Sequence, residues 1–141
     1  MISFEINNLT KGKVDPIRRG MSNGVNKKFL LKVAERASRL VKVRIPEISI
    51  VLVGDAKIKA LNKKYRKSNK VTDVLVFDYG EIFICLPQAK KQAKKLGHSL
   101  KKELAILLIH AILHLVGYKD KTKKDLNKML KKQEEICQKI I

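Results

Sequence analysis

The stretch ISIVLVGD, residues 48–55, alternates Ile48, Ile50 and Leu52 with Ser49, Val51 and Val53 in a β-branched run that stops at Gly54. A segment apolar on both sides predicts a strand in the middle of a sheet whose two faces are both covered. Upstream, Phe29, Leu30, Val33, Ala34, Ala37, Leu40 and Val41 recur at helical spacing between Asn26 and about Val43, with Lys and Arg on the opposite face. Before that helix, Ile2, Phe4 and Ile6 have the period of a half-buried strand, and the polar segment holding Gly12, Pro16 and Gly20 reads as a loop. Downstream, Asp55 can cap a short helix whose inner positions are Ile58, Leu61 and Tyr65. Residues 73–78 and 81–86 are β-rich and separated only by Tyr79 and Gly80, a spacing that predicts an antiparallel hairpin.

Three helices complete the chain. Pro87 opens one that ends at Gly97, and Ser99 caps the next, which is the most apolar and stops near Gly117. Thr122 with Asp125 resembles a capping box, and Leu126, Met129, Leu130, Gln133, Ile136, Cys137 and Ile140 mark the inner face of the last helix. A strand–helix–strand unit followed by a hairpin and three helices predicts an α+β fold: a small mixed sheet with a β-hairpin, covered by about five helices.

A length of 141 residues leaves room for one domain, residues 1–141, and excludes a repeat array or a two-domain enzyme. Lys and Arg number 32 against 13 Asp and Glu, a net charge of +19 that repels itself unless a polyanion screens it, so nucleic acid is the expected partner. With 45% apolar residues the chain can bury a core, unlike a basic disordered tail. Cys85 and Cys137 form neither a CxxC motif nor a disulfide scaffold, which fits buried thiols in a reducing compartment. MISFEINNLT has no secretory pattern, and the run from Leu104 to Tyr118 is shorter than the roughly 20 residues of a bilayer span. A cytoplasmic location and a core helix are the expectations.

His110 and His114, four residues apart on that apolar helix, put both imidazoles on one face with Cβ atoms about 5–6 Å apart. The pair can share a metal ion or satisfy its own hydrogen bonds in the core. Gly117 can turn the chain back, so that Asp120 offers a third ligand and leaves a fourth position for water; alternatively Asp120 only begins the loop before the last helix. Ala111 stands where zinc peptidases carry their glutamate base, which argues against peptide hydrolysis. Glu103, two turns earlier on the same face, either orients an imidazole or stabilises the helix amino terminus. Between Asp55 and Asp73 lie Lys57, Lys59, Lys63, Lys64, Arg66, Lys67 and Lys70 with no acid, and residues 82–102 carry six more lysines and none. If these segments border one groove, they supply phosphate contacts. Arg66, at a helix end beside a loop, can reach a phosphate with two parallel hydrogen bonds.

HAILHLVGYKD (residues 110–120) resembles the metal-binding signature of the YbeY family of bacterial ribosomal RNA maturation factors, described as single-strand-specific endoribonucleases. LNKKYRKSNKVTDVLVF (61–77) is similar to the family's asparagine, tyrosine–arginine and threonine–aspartate–valine–leucine block, GEIFICL (80–86) to its strand, and PQAKKQAKKLGHS (87–99) to its following helix. Met129 and the pair Glu134 and Glu135 fall in family register. The resemblance implies a mixed-sheet α+β fold, a zinc ion on His110 and His114, a functional role for Arg66, and ribosomal RNA or the small ribosomal subunit as partner. DNA is not expected, nor is a membrane, since the most apolar helix carries the histidines. Three positions depart from the pattern: Asp120, after Lys119, replaces the family's third histidine ligand, Ala111 replaces a glycine, and Val76 replaces a serine. The aspartate changes ligand charge and softness, and with them metal affinity and identity.

The leading expectation is a metal-dependent, single-strand-specific endoribonuclease in small-subunit ribosomal RNA maturation. It uses His110, His114 and Asp120 on one zinc ion, Arg66 at the phosphate, and Lys63, Lys64 and Lys70 on the RNA backbone. The alternative is a non-catalytic RNA-binding ribosome-assembly factor whose metal is structural or absent.

Overall fold

The computed structural model describes residues 2–10, 21–22 and 25–141. Gly12, Pro16 and Gly20, read above as part of a loop, lie outside the described residues. Strand β1 (Ser3–Asn8) precedes a short antiparallel pair, β2 (Met21–Ser22) and β3 (Val25–Asn26), which the sequence reading does not anticipate. Helix α1 (Lys27–Leu40) leads to β4 (Glu47–Val53), then α2 (Asp55–Arg66), β5 (Val74–Phe77), β6 (Glu81–Cys85), α3 (Leu86–Leu96), α4 (Leu100–Leu115) and α5 (Lys123–Ile140). The main sheet has the order β1-β4-β6-β5, with β1, β4 and β6 parallel and β5 antiparallel to β6. The fold is α+β with a mixed sheet and five helices among the described residues, as the alternation of elements predicts.

β4 lies between two parallel neighbours, the position that a strand apolar on both sides demands. Its Ile48, Ile50 and Leu52 join Ile6, Ile82 and Ile84 in the larger core under α1, α4 and α5, while Val51 and Val53 join Leu75, Phe83, Cys85 and Ile58 of α2 on the other face. The β5–β6 hairpin turns through Asp78, Tyr79 and Gly80, one residue more than the spacing suggested, because the ladder ends at the Phe77–Glu81 pair. Gly80 has φ +114°, and a methyl group on it would collide with the Glu47 carbonyl oxygen, so glycine is required there twice over.

Helix starts follow local chemistry. Asn26, Ser99 and Thr122 cap α1, α4 and α5 by accepting from Phe29 N (3.1 Å), Lys102 N (3.1 Å) and Asp125 N (3.0 Å). Asp55 does not act as the predicted cap. Gly54 occupies the N-cap position of α2 without a side-chain bond, and Asp55 Oδ1 instead accepts from Gln88 Nε2 (3.0 Å) and Cys85 Sγ (3.2 Å). Those two bonds, Gln88 first, hold the Asp55 carboxyl below the usual carboxylate range, and burial pushes the Cys85 thiol up to about 12, so it remains a protonated donor. Cys85 and Cys137 are free thiols, the first buried. Met129 and Ile136 are the buried anchors of α5, whereas Leu40, Tyr65 and Leu130, read as inner positions, are exposed. Glu134 and Glu135 face solvent.

Candidate active site

α4 packs against α1, α3, α5 and strand β5, which brings its carboxy-terminal turns beside the edge of the sheet. Leu104, Leu108, Ile109, Ile112 and Leu113 are fully buried in that packing. At about 1.5–3 kcal/mol for each such side chain, burial sets the rotation of the helix and with it the direction of His110 and His114. The helix ends in a Schellman motif. Tyr118 N–H donates to Leu113 O (3.1 Å) and Gly117 N–H to His114 O (3.0 Å), with Gly117 at φ +101° in the position that favours glycine. The reversal carries Tyr118 and Asp120 back over the histidines.

Each imidazole is held by its inner nitrogen. His114 Nδ1 lies 3.0 Å from Tyr118 O, and His110 Nδ1 lies 2.8 Å from Gln133 Oε1 on α5. Both partners are oxygen acceptors, so in each neutral ring the proton sits on Nδ1 and Nε2 presents a lone pair. The two Nε2 atoms face each other at 3.2 Å, with Asp120 Oδ2 at 3.4 Å from His114 Nε2 and 3.9 Å from His110 Nε2. Burial chiefly, and then the neighbouring His110, push the His114 pKa below its ordinary value of 6.5, against the opposing pull of Asp120. Two bare lone pairs at this distance repel unless a cation lies between them. Ligand bonds of about 2.0–2.1 Å at tetrahedral angles place two nitrogens about 3.3–3.4 Å apart, close to the observed separation. Among the described residues, His110, His114 and Asp120 form the one group of three His, Cys, Asp or Glu side chains able to hold a metal ion, with ligand atoms all within 4.8 Å of one another. The donor set fits zinc.

These three side chains line a cleft of about 470 Å³ together with Arg66, Asn62, Asp73, Val76 and Asp78. Arg66 is the last residue of α2, and its Nη2 donates to Val76 O (2.9 Å) on the edge strand β5. Lys67 follows in the left-handed conformation, φ 53°, and the buried Asn62 donates from Nδ2 to Lys70 O (3.0 Å), which fixes the loop beneath Arg66. Lys63, Lys64 and Lys70 are exposed on α2 and this loop, outside the residues lining the cleft. Glu103 does not reach an imidazole of the pair. It is buried against His98, with Oε1 2.7 Å from His98 Nε2, because the turn at Gly97 returns His98 over the start of α4. Gln133 plays the orienting part instead. Its only signal in the sequence is a polar residue in the otherwise apolar stripe of α5.

Residues 11–141 match the family described as Endoribonuclease YbeY. Curated relatives named Endoribonuclease YbeY include one from Phytoplasma australiense, 43% identical over 67% of this chain and 74% of its own. Another, from Persephonella marina, is 36% identical over 82% of this chain and 84% of its own. A third, from Brevibacillus brevis, is 30% identical over 99% of this chain and 98% of its own. Among solved structures, the solution structure of a Thermotoga maritima protein superimposes with a TM-score of 0.62 at 28% identity, covering 97% of this chain and 88% of that one.

Proposed function

We propose that this chain, which belongs to the YbeY endoribonuclease family, cleaves single-stranded RNA in the maturation of small-subunit ribosomal RNA, with one zinc ion held by His110, His114 and Asp120. The chain is an endoribonuclease. The observation that supports the metal-dependent form of that activity is the convergence of two Nδ1-anchored imidazoles and a carboxylate in the cleft that Arg66 also lines.

Zinc held by His110, His114 and Asp120 would supply an acidified water and Lewis acidity. The protein's own groups do the rest. The oxygens of Tyr118 and Gln133 keep the rings in the tautomer that leaves Nε2 free, and the packing of α4 limits their motion. Arg66, braced on Val76 O through one N–H, has further donors of its planar fork for a phosphate, where charge grows as the phosphorus becomes five-coordinate. Lys63, Lys64 and Lys70 attract the RNA backbone without contacting the reacting atoms. No helix among the described residues is long and apolar enough to cross a membrane, and the +19 charge supports a polyanionic partner.

Metal analysis of the purified chain beside a single-stranded RNA cleavage assay, with and without chelator, tests this reading. Stoichiometric zinc with cleavage abolished by chelator is expected. Tight RNA binding without metal or cleavage would count against the zinc-dependent reading and in favour of a non-catalytic role.

A further inference from the structure

Two of the three tyrosines and two of the four phenylalanines meet in one cluster on the α2 face of the sheet, across the edge strand β5 from the cleft. Phe77, the last residue of β5, is anchored edge-on against the buried Phe83, with ring centroids 5.9 Å apart. Tyr79 stacks on Phe77 at 5.9 Å with the planes 23° apart, and Tyr65 meets it edge-on at 5.3 Å. Yet Tyr65 is 55% and Tyr79 66% exposed, so the anchored phenylalanine supports two tyrosines turned to water. A single exposed aromatic is ordinary, but two braced on one half-buried ring, itself anchored on the buried Phe83, are a prepared apolar surface. The Tyr79 hydroxyl donates to Glu81 Oε1 (2.9 Å), which occupies the polar end of the ring and leaves its outer face for contact.

We infer that Tyr65 and Tyr79, seated on Phe77, form a stacking platform for unpaired bases of the RNA strand whose phosphates enter the cleft. The inference rests on the RNA-cleaving reading above and adds the device by which single strands are selected. Tyr65 precedes Arg66 and Phe77 follows Val76, and the 2.9 Å bond from Arg66 Nη2 to the Val76 carbonyl ties the two segments together at the edge strand. Side chains alternate along β5, so the platform lies on its α2 face and the cleft on its α4 face, and an RNA strand that meets both passes over that edge. The Tyr65 side of the platform is charged in the required sense: Lys64 Nζ lies 5.1 Å from the Tyr65 ring centroid, and Lys63 and Lys67, close to it in the chain, are exposed, whereas Asp78 and Glu81 are the charged groups beside Tyr79. An aromatic face flanked by cations is how single-stranded nucleic acid is held without reading its sequence, since every base has a π face. In a duplex those faces are already stacked. The platform therefore discriminates by strandedness, while the lysines bind either form.

The test measures binding by the full chain, in chelator so that no RNA is cut, to three probes: oligouridylate, the same strand annealed to oligoadenylate, and a strand of equal length with abasic riboses. The wild type should prefer oligouridylate to the abasic strand. The combined change Tyr65→Ala and Tyr79→Ala should weaken oligouridylate binding about 5- to 100-fold, the range for one stacked base, and leave abasic and duplex binding unchanged. Tryptophan at both positions should restore the preference and leucine should not; unchanged thermal melting of the variants verifies the fold. Equal affinity of the wild type for normal and abasic strands, full binding by the leucine variant, or equal loss on all three probes overturns the platform. In the first of these cases phosphate contacts alone hold RNA, and the aromatic patch is left for a protein partner. Absence of zinc or of cleavage in the separate activity assay would overturn the catalytic reading without touching this result.

Discussion

The two halves of the candidate site are built in opposite ways. His110 and His114 stand on a helix whose apolar side chains are buried, and each ring is held by a hydrogen bond at Nδ1. Asp120 stands on the turn beyond it with its side chain 45% exposed, and Arg66 projects from the last turn of α2 with one bond to an edge strand. The difference teaches a division of labour. Groups whose geometry must not change are fixed by packing before any ligand arrives, while groups that meet the RNA are placed on ends and turns that can adjust.

That division predicts a graded series of effects. The largest belongs to the helical half. His114→Ala should lower zinc affinity by more than the roughly 100-fold that losing an outer partner costs, while RNA binding in chelator survives, because the basic surface is separate. Zinc titration calorimetry and RNA anisotropy on the same preparation measure both. Retained zinc affinity would break the comparison at its firmest point.

Next in size is Arg66→Lys. Lysine keeps the charge and loses the planar fork, so single-turnover cleavage should fall about 100-fold while the RNA dissociation constant changes by no more than about threefold. Equal losses in binding and cleavage would make Arg66 one more backbone cation, no different from Lys63.

Gln133→Leu removes the acceptor of His110 Nδ1 without adding bulk, and zinc affinity should drop about 10-fold or somewhat more. Gln133→Glu, which restores an oxygen acceptor, should recover it. If leucine and glutamate variants bind zinc equally well, packing alone orients His110.

The same contrast separates what was legible in the sequence from what was not. Features set within a few residues could be read: the i, i+4 histidines, the caps Ser99 and Thr122, the helix-ending glycines at positions 97 and 117, and β4 as a central strand. Errors arose where a local partner and a distant one competed. Asp55 had helix amides beside it and bonded Cys85 and Gln88 thirty residues away, and Glu103 had His110 on its own face and paired with His98, which the turn at Gly97 had folded back. Tyr65 has the spacing of a core residue on α2, yet only Ile58 and Asn62 of that helix are buried, since the small core on this face ends at Phe77. Periodicity shows which face is apolar. It does not show where the layer beneath it stops.

The smallest effect expected is at Asp120, and it decides whether the turn belongs to the metal site at all. The carboxylate lies within 3.4 Å of His114 Nε2, near enough to complete a three-ligand set with a small adjustment of an exposed side chain. One anionic ligand leaves the site a net charge of +1 where three neutral histidines would leave +2, so a bound water is less acidified. Asp120→His should therefore keep zinc affinity within about tenfold of wild type and shift the rising limb of the cleavage rate to lower pH, whereas Asp120→Ala should weaken zinc binding several-fold. A pH–rate profile and a zinc titration of the two variants separate charge from coordination. If both variants retain wild-type affinity and the same pH dependence, Asp120 is no ligand, and the site rests on the two histidines and a group still to be found.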